Sequence, residues 1–369
     1  MSLLIINAGS SSIKYTLFES KTLRVIDHGL IEEISDHHEG FEVMRTQLQI
    51  HNIDITQIEA IGHRVVHGGE RFHEPTLIDD ELLEEIKVLS PLAPLHNPAN
   101  IEGIVAARKI APLAFHIAVF DTAFHQSIPE YAYLYPIPTR VYESYHVRRY
   151  GFHGISHRYV ASQAAKALHI PSESLNLITF HIGNGVSACA IRKGKSIDTT
   201  MGMTPLEGLM MGSRSGSIDP GIITYLMRQA SMSPDQIDAM LNKQSGLTGI
   251  AGSNDMRIII DAADGGDNHA QLALEMFAYR LKKQLGAYMA IMSPVDAVVF
   301  TGGIGEHSAR IRAMICTGLE HIGILLDETK NNAHETMIHD EYSALDLLVI
   351  PTDEELQIAL EVKEVLQLR

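Results

Sequence analysis

Two stretches of this chain follow the same plan, which restricts the fold more than any other feature. Residues 3–18 (LLIINAGSSSIKYTLF) form an apolar strand, a run of small residues and an alternating strand. Residues 175–194 place HIGNGVS (181–187) between two strands in the same way. Each half then has a further strand and alternates helix with strand, which is typical of α/β proteins. The pattern alone leaves open whether the halves are a repeat or only resemble each other as α/β chains often do.

The pattern of apolar residues also predicts the individual elements. Strands are expected at 3–7, 13–18, 23–31, 59–66, 115–120, 175–183, 186–194, 195–202, 297–303 and 347–352. Helices are expected from Asp79, from Asn97 as N-cap with Pro98 in the first turn, over 157–168 with Ser156 as N-cap, at 218–230, 234–244 and 268–292, from about Ser308, and at the end of the sequence.

Composition excludes several classes of partner. The formal net charge is −16, so the protein as a whole is a poor ligand for nucleic acid or an anionic membrane. The sequence has no basic leader and no apolar run long enough to span a bilayer, which predicts a cytoplasmic protein. A small anionic ligand would have to be bound by a few placed cations against this net charge.

Three glycine-rich turns are candidates for binding a nucleotide. NAGSSS (7–12) and HIGNG (181–185) each join two strands, and TGGIGEHS (301–308) joins a strand to a helix, whose first N–H groups would meet an anion. The P-loop pattern fails because Cys189 stands where its first glycine belongs, and the dinucleotide fingerprint fails at Ser308. One such turn is ordinary hairpin chemistry, but three at strand ends, with Lys14 after the first, favour a nucleotide site.

Two arginines stand in unusual surroundings. Arg64 lies in the apolar strand of GHRVVHGGE (62–70), on the same face as Val66, which suits a ligand with an anionic end and a small alkyl end. Arg214 lies among glycines in LMMGSRSGSIDPG (209–221), where a polyphosphate would need space. The alternatives are an arginine that extends to solvent from a strand end and an exposed loop arginine.

Acidic and histidine side chains mark further strand ends. Asp121 ends an apolar strand at the edge where α/β sheets place their chemistry. Glu354, in IPTDEEL (350–356), is either a helix-terminal acid or a ligand of hydrated Mg²⁺. His153 and His157 have the spacing of a zinc site, but Gly154 argues against a helix there, which favours His153 as a hydrogen-bond donor.

Ten segments in order, among them NAGSSSIKY, GHRVVHGGE, FDTAFHQ, RRYGFHGISH and FTGGIGEHSARIR, resemble the acetate kinase family over nearly the whole chain. The resemblance implies the fold of the sugar kinase, Hsp70 and actin superfamily: α/β, with two duplicated RNase H-like βββαβαβα domains and an interdomain cleft. It implies a first domain of 1–121 plus 355–369, closed by the last helix, and a nucleotide-binding domain of 122–354.

The resemblance also assigns roles to residues. Asp121, His153, Arg64 and Arg214 match the catalytic positions, and Asn7 and Glu354 match the metal site. Arg64, Val66, Leu95, Phe152 and Pro205 match the substrate pocket. The positions that match the ATP site are Lys14, His181, Ile182, Gly183, Asn184, Gly185, Asp255, Met256, Arg257, Gly302, Gly303, Ile304, Gly305 and Glu306.

The implied reaction is reversible in-line phosphoryl transfer from ATP to acetate, giving ADP and acetyl phosphate, with Mg²⁺ or, in its place, Mn²⁺. The implied partners are these substrates and a second copy of the chain. Two features depart from the family: Asp353 stands where Asn is common, and the segment before GHRVVHGGE is short. A propionate or butyrate kinase would differ in the pocket, and a nucleotide-driven chaperone or filament protein would need a further domain or surface.

Overall fold

The computed structural model describes residues 2–9, 12–34, 36–94 and 96–367, and the chain divides into two compact units. Unit 1 comprises Met1–Gln126, His153–Tyr159 and Asp353–Arg369, and unit 2 comprises Ser127–Phe152 and Val160–Thr352. The domain limits inferred from the resemblance, 1–121 plus 355–369 and 122–354, stay a prediction.

Each unit contains one β-sheet. The strands are β1 (Ser2–Ala8), β2 (Ser12–Glu19), β3 (Val25–Glu32), β4 (Ala60–Val65), β5 (Thr76–Leu77), β6 (Phe115–Phe120), β7 (Asn176–Ile182), β8 (Val186–Arg192), β9 (Lys195–Thr199), β10 (Ala297–Thr301) and β11 (Asp346–Val349). The strand order is β3-β2-β1-β4-β6-β5 in unit 1 and, read in the corresponding direction, β9-β8-β7-β10-β11 in unit 2.

The two sheets have the same topology apart from the short edge strand β5. In each, the first three strands form an antiparallel meander. The next strand then pairs in parallel with the first strand, and the one after it pairs in parallel with that strand, as β1-β4-β6 in unit 1 and β7-β10-β11 in unit 2. This repeated order confirms the duplicated βββαβαβα fold, which pattern alone had left open.

The helices are α1 (His37–Ile50), α2 (Asp80–Val88), α3 (Asn97–Ile110), α4 (Glu130–Tyr133), α5 (Thr139–Tyr145), α6 (Gly154–Leu168), α7 (Gly221–Gln229), α8 (Pro234–Lys243), α9 (Gly246–Ala251), α10 (Met256–Asp264), α11 (Asn268–Met292), α12 (Gly302–His307), α13 (Ala309–Cys316), α14 (Glu328–Asn332) and α15 (Glu354–Gln367). No helix in the described ranges is long and apolar enough to cross a membrane.

Helices cover both faces of the unit 1 sheet. On one face Leu4 and Ile6 pack with Phe41 of α1, and on the other Leu3 packs with Ile358 of α15. Successive residues of β1 point to opposite faces, so a strand covered on both sides is apolar throughout. This explains why residues 3–6 show no alternation of polar and apolar side chains.

Several local predictions differ from the structure. Helix α1 was not predicted, although Phe41, Met44 and Leu48 have helical spacing and are buried. Asn97 is not an N-cap, because His96 holds that position and the Asn97 side chain bonds the backbone of His67 instead. Ser156 lies inside α6, which begins at Gly154.

Candidate active site

Arg64, near the end of β4, lies between two carboxylates. Its Nη2 atom donates to Asp121 Oδ2 at 3.0 Å, and its Nε atom lies 3.4 Å from Glu354 Oε2. The Arg64 side chain is 16% exposed and that of Asp121 is 1% exposed. Burial opposes the charge of Arg64, but Asp121 and Glu354 outweigh it and raise the pKa of the guanidinium. The site therefore fixes a permanent cation in one orientation.

Asp121 joins this cation to the start of α6. Its Oδ2 atom accepts a second hydrogen bond, from the His153 backbone N–H at 2.8 Å, and its backbone oxygen accepts from the Gly154 N–H at 2.9 Å. A Cβ atom on residue 154 would lie 2.2 Å from that backbone oxygen, so only glycine permits the contact. Gly154 is thus needed for close approach, and the structure corrects the view that it argues against a helix.

The three acidic residues that follow β11 have different partners. Asp353 accepts from the Leu356 N–H at 2.8 Å and so bonds the first turn of α15. Glu355 pairs with Lys14 at 2.7 Å. Glu354 faces Arg64, and burial raises the pKa of Glu354 although the Arg64 charge opposes the shift. Of the three, Glu354 is therefore the carboxylate that would gain most from an additional cation.

The residues suit Mg²⁺ better than a metal bound by many protein ligands. Among the residues that the structure describes, no group of three or more His, Cys, Asp or Glu side chains is placed to hold a metal ion. Mg²⁺ needs only one or two carboxylates when phosphates and water complete its shell. The buried Asp121 Oδ1 atom has no hydrogen-bond partner in the same ranges, so negative charge in this site is left unmatched.

The first glycine-rich turn is partly described. Asn7 lies opposite Lys14 in the β1–β2 pair, and the Gly9 N–H donates to Ser12 O at 2.8 Å. That N–H group is therefore used within the turn and is not open to an anion. Ser10 and Ser11 lie outside the described residues.

His37 supports this turn, a role that the sequence did not reveal. Its Nε2 atom lies 2.8 Å from Gly9 O, and its Nδ1 atom lies 2.9 Å from Glu102 Oε2. The side chain is buried, with 7% exposure. Only the contact between α1, α3 and the turn reveals it, since neither His37 nor Glu102 lies in a recognisable motif.

Arg214 lies in unit 2 and differs from Arg64 in its partners. Its Nη1 atom donates to Pro205 O at 3.2 Å, and no carboxylate in the described ranges lies within ion-pair distance. Burial lowers the pKa of Arg214. A half-buried guanidinium without a counterion is suited to an anionic ligand. The neighbouring glycines serve the loop itself, because a Cβ at Gly208 or Gly216 would lie 2.5 or 2.3 Å from a backbone oxygen.

The candidate nucleotide segments also belong to unit 2. The turn after β7 and the start of α12 follow neighbouring parallel strands, with His181 opposite Thr301 in the β7–β10 pair. In the remaining candidate segment, 255–257, Asp255 accepts hydrogen bonds from the Arg257 backbone and side chain, which lowers the pKa of Asp255 to about 2. Met256 is buried.

Glu306 has a local function that the sequence did not reveal. Its Oε1 atom accepts from the N–H groups of Gly302 at 2.8 Å and Thr352 at 3.1 Å. The prediction that the first N–H group of this helix is open to an anion is therefore wrong for Gly302. Gly303, by contrast, is exposed.

The predicted pocket residues are distributed over both units. Val66 follows β4 in unit 1 and is buried, whereas the buried Phe152 and the half-buried Pro205 belong to unit 2. Leu95 lies outside the described residues.

Comparisons with known proteins agree with one another. The model of the acetokinase family matches residues 31–360. An acetate kinase of Sulfurovum sp. (strain NBC37-1) is 53% identical over 384 residues, covering 97% of each chain. A crystal structure of Porphyromonas gingivalis acetate kinase is similar, with a TM-score of 0.94, 40% identity and 99% of each chain covered. So is a propionate kinase of Francisella tularensis subsp. tularensis SCHU S4, with a TM-score of 0.94, 44% identity and 98% of each chain covered.

Proposed function

Because the chain belongs to the acetokinase family, we propose that it is a phosphotransferase that reversibly converts ATP and acetate to ADP and acetyl phosphate. The observation that carries this proposal for the chain itself is the placement of Arg64. Asp121 and Glu354 orient this cation, and the buried Val66 follows it two residues later. A carboxylate and a methyl group are the two ends of acetate.

The chemistry requires placement more than proton transfer. A carboxylic acid of pKa near 4 is already ionised at neutral pH, so the attacking oxygen needs no base. Asp121 therefore serves as the anion that orients Arg64 and the His153 backbone. Arg64 holds the acetate carboxylate, and both Arg64 and Arg214 stabilise negative charge on the transferred phosphoryl group, while the His153 side chain adds a hydrogen bond.

Glu354 and Asn7 would hold Mg²⁺. When bound, the metal neutralises charge on the nucleotide phosphates. Lys14 contributes a further positive charge to those phosphates. Residues His181–Gly185, Asp255–Arg257 and Gly302–Glu306 bind the nucleotide, with Glu306 acting by bracing the Gly302 backbone.

The acid substrate is acetate in preference to propionate. The structural neighbours include kinases named for either acid, so overall similarity does not separate them. Val66 is 4% exposed and carries a branched side chain, which leaves less room than a smaller residue would. Because one methylene changes binding by about 1–3 kcal/mol, we expect kcat/KM to fall from acetate to propionate by about tenfold or more.

We further propose a homodimer in the cytoplasm. Helix α7 has the sequence GIITYLMRQ, yet none of its residues is buried: Tyr225 is 64% exposed and Ile222 is 40% exposed. An exposed apolar helix of this kind is typical of a surface that another protein covers. A second copy, placing α7 against its equivalent, is the occupant that a symmetric dimer provides.

Hydroxylamine trapping of acyl phosphate tests the activity. The purified protein is incubated with ATP, Mg²⁺ and acetate, propionate or butyrate, and the hydroxamate is quantified. We expect product with acetate, less with propionate and least with butyrate, and none without ATP. Equal rates with all three acids would refute the pocket argument, and no product with any of them would refute the proposed function.

A further inference from the structure

The loop after β4 is held by side chains, not by secondary structure. Residues 66–69 (VHGG) leave the sheet after Val65, yet their N–H groups all find acceptors. Those bonds run from Val66 to Asn100 Oδ1 (3.0 Å), from His67 to Asn97 Oδ1 (3.1 Å), from Gly68 to Thr122 Oγ1 (3.1 Å) and from Gly69 to His67 Nδ1 (3.0 Å). A loop with its donors satisfied by buried side chains is ordered before any ligand arrives.

Asn97, the first residue of α3, makes two bonds to one residue. Besides accepting from the His67 N–H, it donates through Nδ2 to His67 O at 3.1 Å. The Asn97 side chain is fully buried. Its amide therefore makes the two hydrogen bonds to the His67 backbone that a neighbouring strand would make in a sheet.

Asn100, one turn further along α3, connects two strand ends. It accepts from the Val66 N–H and donates through Nδ2 to Ala8 O at 2.8 Å. The parallel pairing of β1 with β4 ends at Ile6 and His63, two and three residues before these groups. Beyond the last backbone pairing of β1 with β4, the Asn100 side chain thus links the Asn7–Gly9 segment to the Arg64–Val66 segment.

We infer that Asn97 and Asn100 are positioning residues that fix where the acid substrate binds, an inference that rests on the proposed function. Within the described part of the chain, the Asn97 side chain hydrogen-bonds His67 alone, on the substrate side. Asn100 contacts both the substrate side and the turn assigned to the metal and phosphates. Asn97 should therefore affect binding of the acid alone, whereas Asn100 should affect binding of both the acid and ATP. A purely structural role would not produce this difference.

The test compares Asn97→Asp and Asn100→Asp in the full-length protein. Aspartate keeps the shape and the accepting oxygen but loses the donor, so it places a carboxylate oxygen against His67 O or Ala8 O. We expect Asn97→Asp to raise KM for acetate about tenfold, to narrow the preference for acetate over propionate, and to leave KM for ATP within twofold. Asn100→Asp should raise both KM values at least fivefold.

Asn242→Asp on α8 is the control, because the Asn242 amide bonds Asp238 within its own helix and touches neither segment. Its KM values should match the wild type. An unchanged KM for acetate in folded Asn97→Asp, or parallel increases of both KM values in both variants, would overturn the positioning role.

Amide hydrogen exchange of the peptide covering residues 62–70 gives a readout that needs no activity. We expect slow exchange of the 66–69 amides in the wild type and faster exchange in Asn97→Asp but not in Asn242→Asp. Fast exchange in the wild type would overturn the inference whatever the activity. A wild type that phosphorylates no acid but shows the slow exchange would overturn the proposed function alone.

Discussion

Replacing Asp121 by asparagine tests whether this residue acts as a buried anion that orients Arg64. Both hydrogen bonds of the carboxylate go to Oδ2, whereas Oδ1 has no partner in the described ranges. The asparagine oxygen can therefore take the place of Oδ2, and its amino group the place of Oδ1. The substitution removes the charge with both bonds kept.

The expected cost follows from these two bonds. A hydrogen bond to a charged group contributes about 1 kcal/mol more than a neutral one. In Asp121→Asn the His153 bond becomes a neutral one and the Arg64 bond loses the opposite charge, and together these changes lower the free energy of unfolding by about 2 kcal/mol. Asp121→Ala also leaves the His153 N–H without this acceptor, and removal of one partner of a buried pair costs about 3–5 kcal/mol. Glu354 remains beside Arg64, which favours the lower end of that range.

The activity should fall by a related amount. If the same 2 kcal/mol acts on Arg64 in the transition state, kcat/KM of Asp121→Asn falls about 30-fold, since about 1.4 kcal/mol is a factor of ten. The acid limb of the pH profile should persist but move to lower pH, because no proton passes through Asp121 while its charge helps to raise the pKa of Glu354. Loss of a general base would instead lower the rate about 10²–10⁴-fold and abolish that limb.

Urea unfolding and initial rates from pH 5.5 to 8.5 measure both quantities. Asp80→Asn is the matched control, since Arg108 Nη1 lies 2.9 Å from Asp80 Oδ1 but the Asp80 side chain is 92% exposed. An exposed pair contributes about 0–1 kcal/mol, so this variant should keep its stability and kinetics. An Asp121→Asn protein that unfolds like the wild type but is as inactive as Asp121→Ala would refute the orienting role.

Three further predictions concern other parts of the molecule. Arg214→Ala should lower kcat by at least a hundredfold with the ATP Kd within about threefold, measured by initial rates and calorimetry, and a near-normal kcat would remove Arg214 from the mechanism. The rings of His63 and His116 bond each other at 3.0 Å, and burial lowers the pKa values of both. The neutral pair therefore contributes its full stability above the pKa of an unfolded histidine, near 6.5, and this contribution is lost as the pH falls below it. Urea unfolding should show a falling free energy of unfolding between pH 7 and pH 5.5, and His116→Asn should make that fall smaller; an unchanged pH dependence in the variant would contradict this. Ile223→Glu with Tyr225→Arg on α7 should shift the mass in light scattering from dimer to monomer, and a double variant that stays dimeric would exclude this helix as the interface.

The sequence predicted the parts of unit 1 that depend on local order. Arg64 and Asp121 lie at or next to the ends of apolar strands, and parallel strands bring their carboxyl ends to one edge. Glu354 follows the last strand of the other sheet, and its closeness to Arg64 comes from α15 packing on the sheet of unit 1. Strand position alone therefore predicted where polar groups lie, but not which of them form bonds.

The contacts that escaped prediction join residues distant in the chain. Asn97 looks like a helix cap because it precedes proline, yet its amide is used by a loop that it meets only after folding. Glu306 looks like part of a nucleotide turn, yet its carboxylate bonds the backbone of its own helix. Local propensity describes the same side chain equally well in either role, so only tertiary structure decides between them.

The position of α15 in the sequence has a consequence for synthesis on the ribosome. Ile358, Ala359 and Val362 of this helix cover the face of the first sheet that includes Leu3 and Ile5, although the strands of that sheet are translated hundreds of residues earlier. The nascent amino-terminal unit therefore exposes a hydrophobic face until α15 has been synthesised, while most of unit 2 can already collapse. A chain that ends before residue 354 would leave this face uncovered and lack the Glu354 carboxylate, so the same helix supplies both the cover of the sheet and a group of the site.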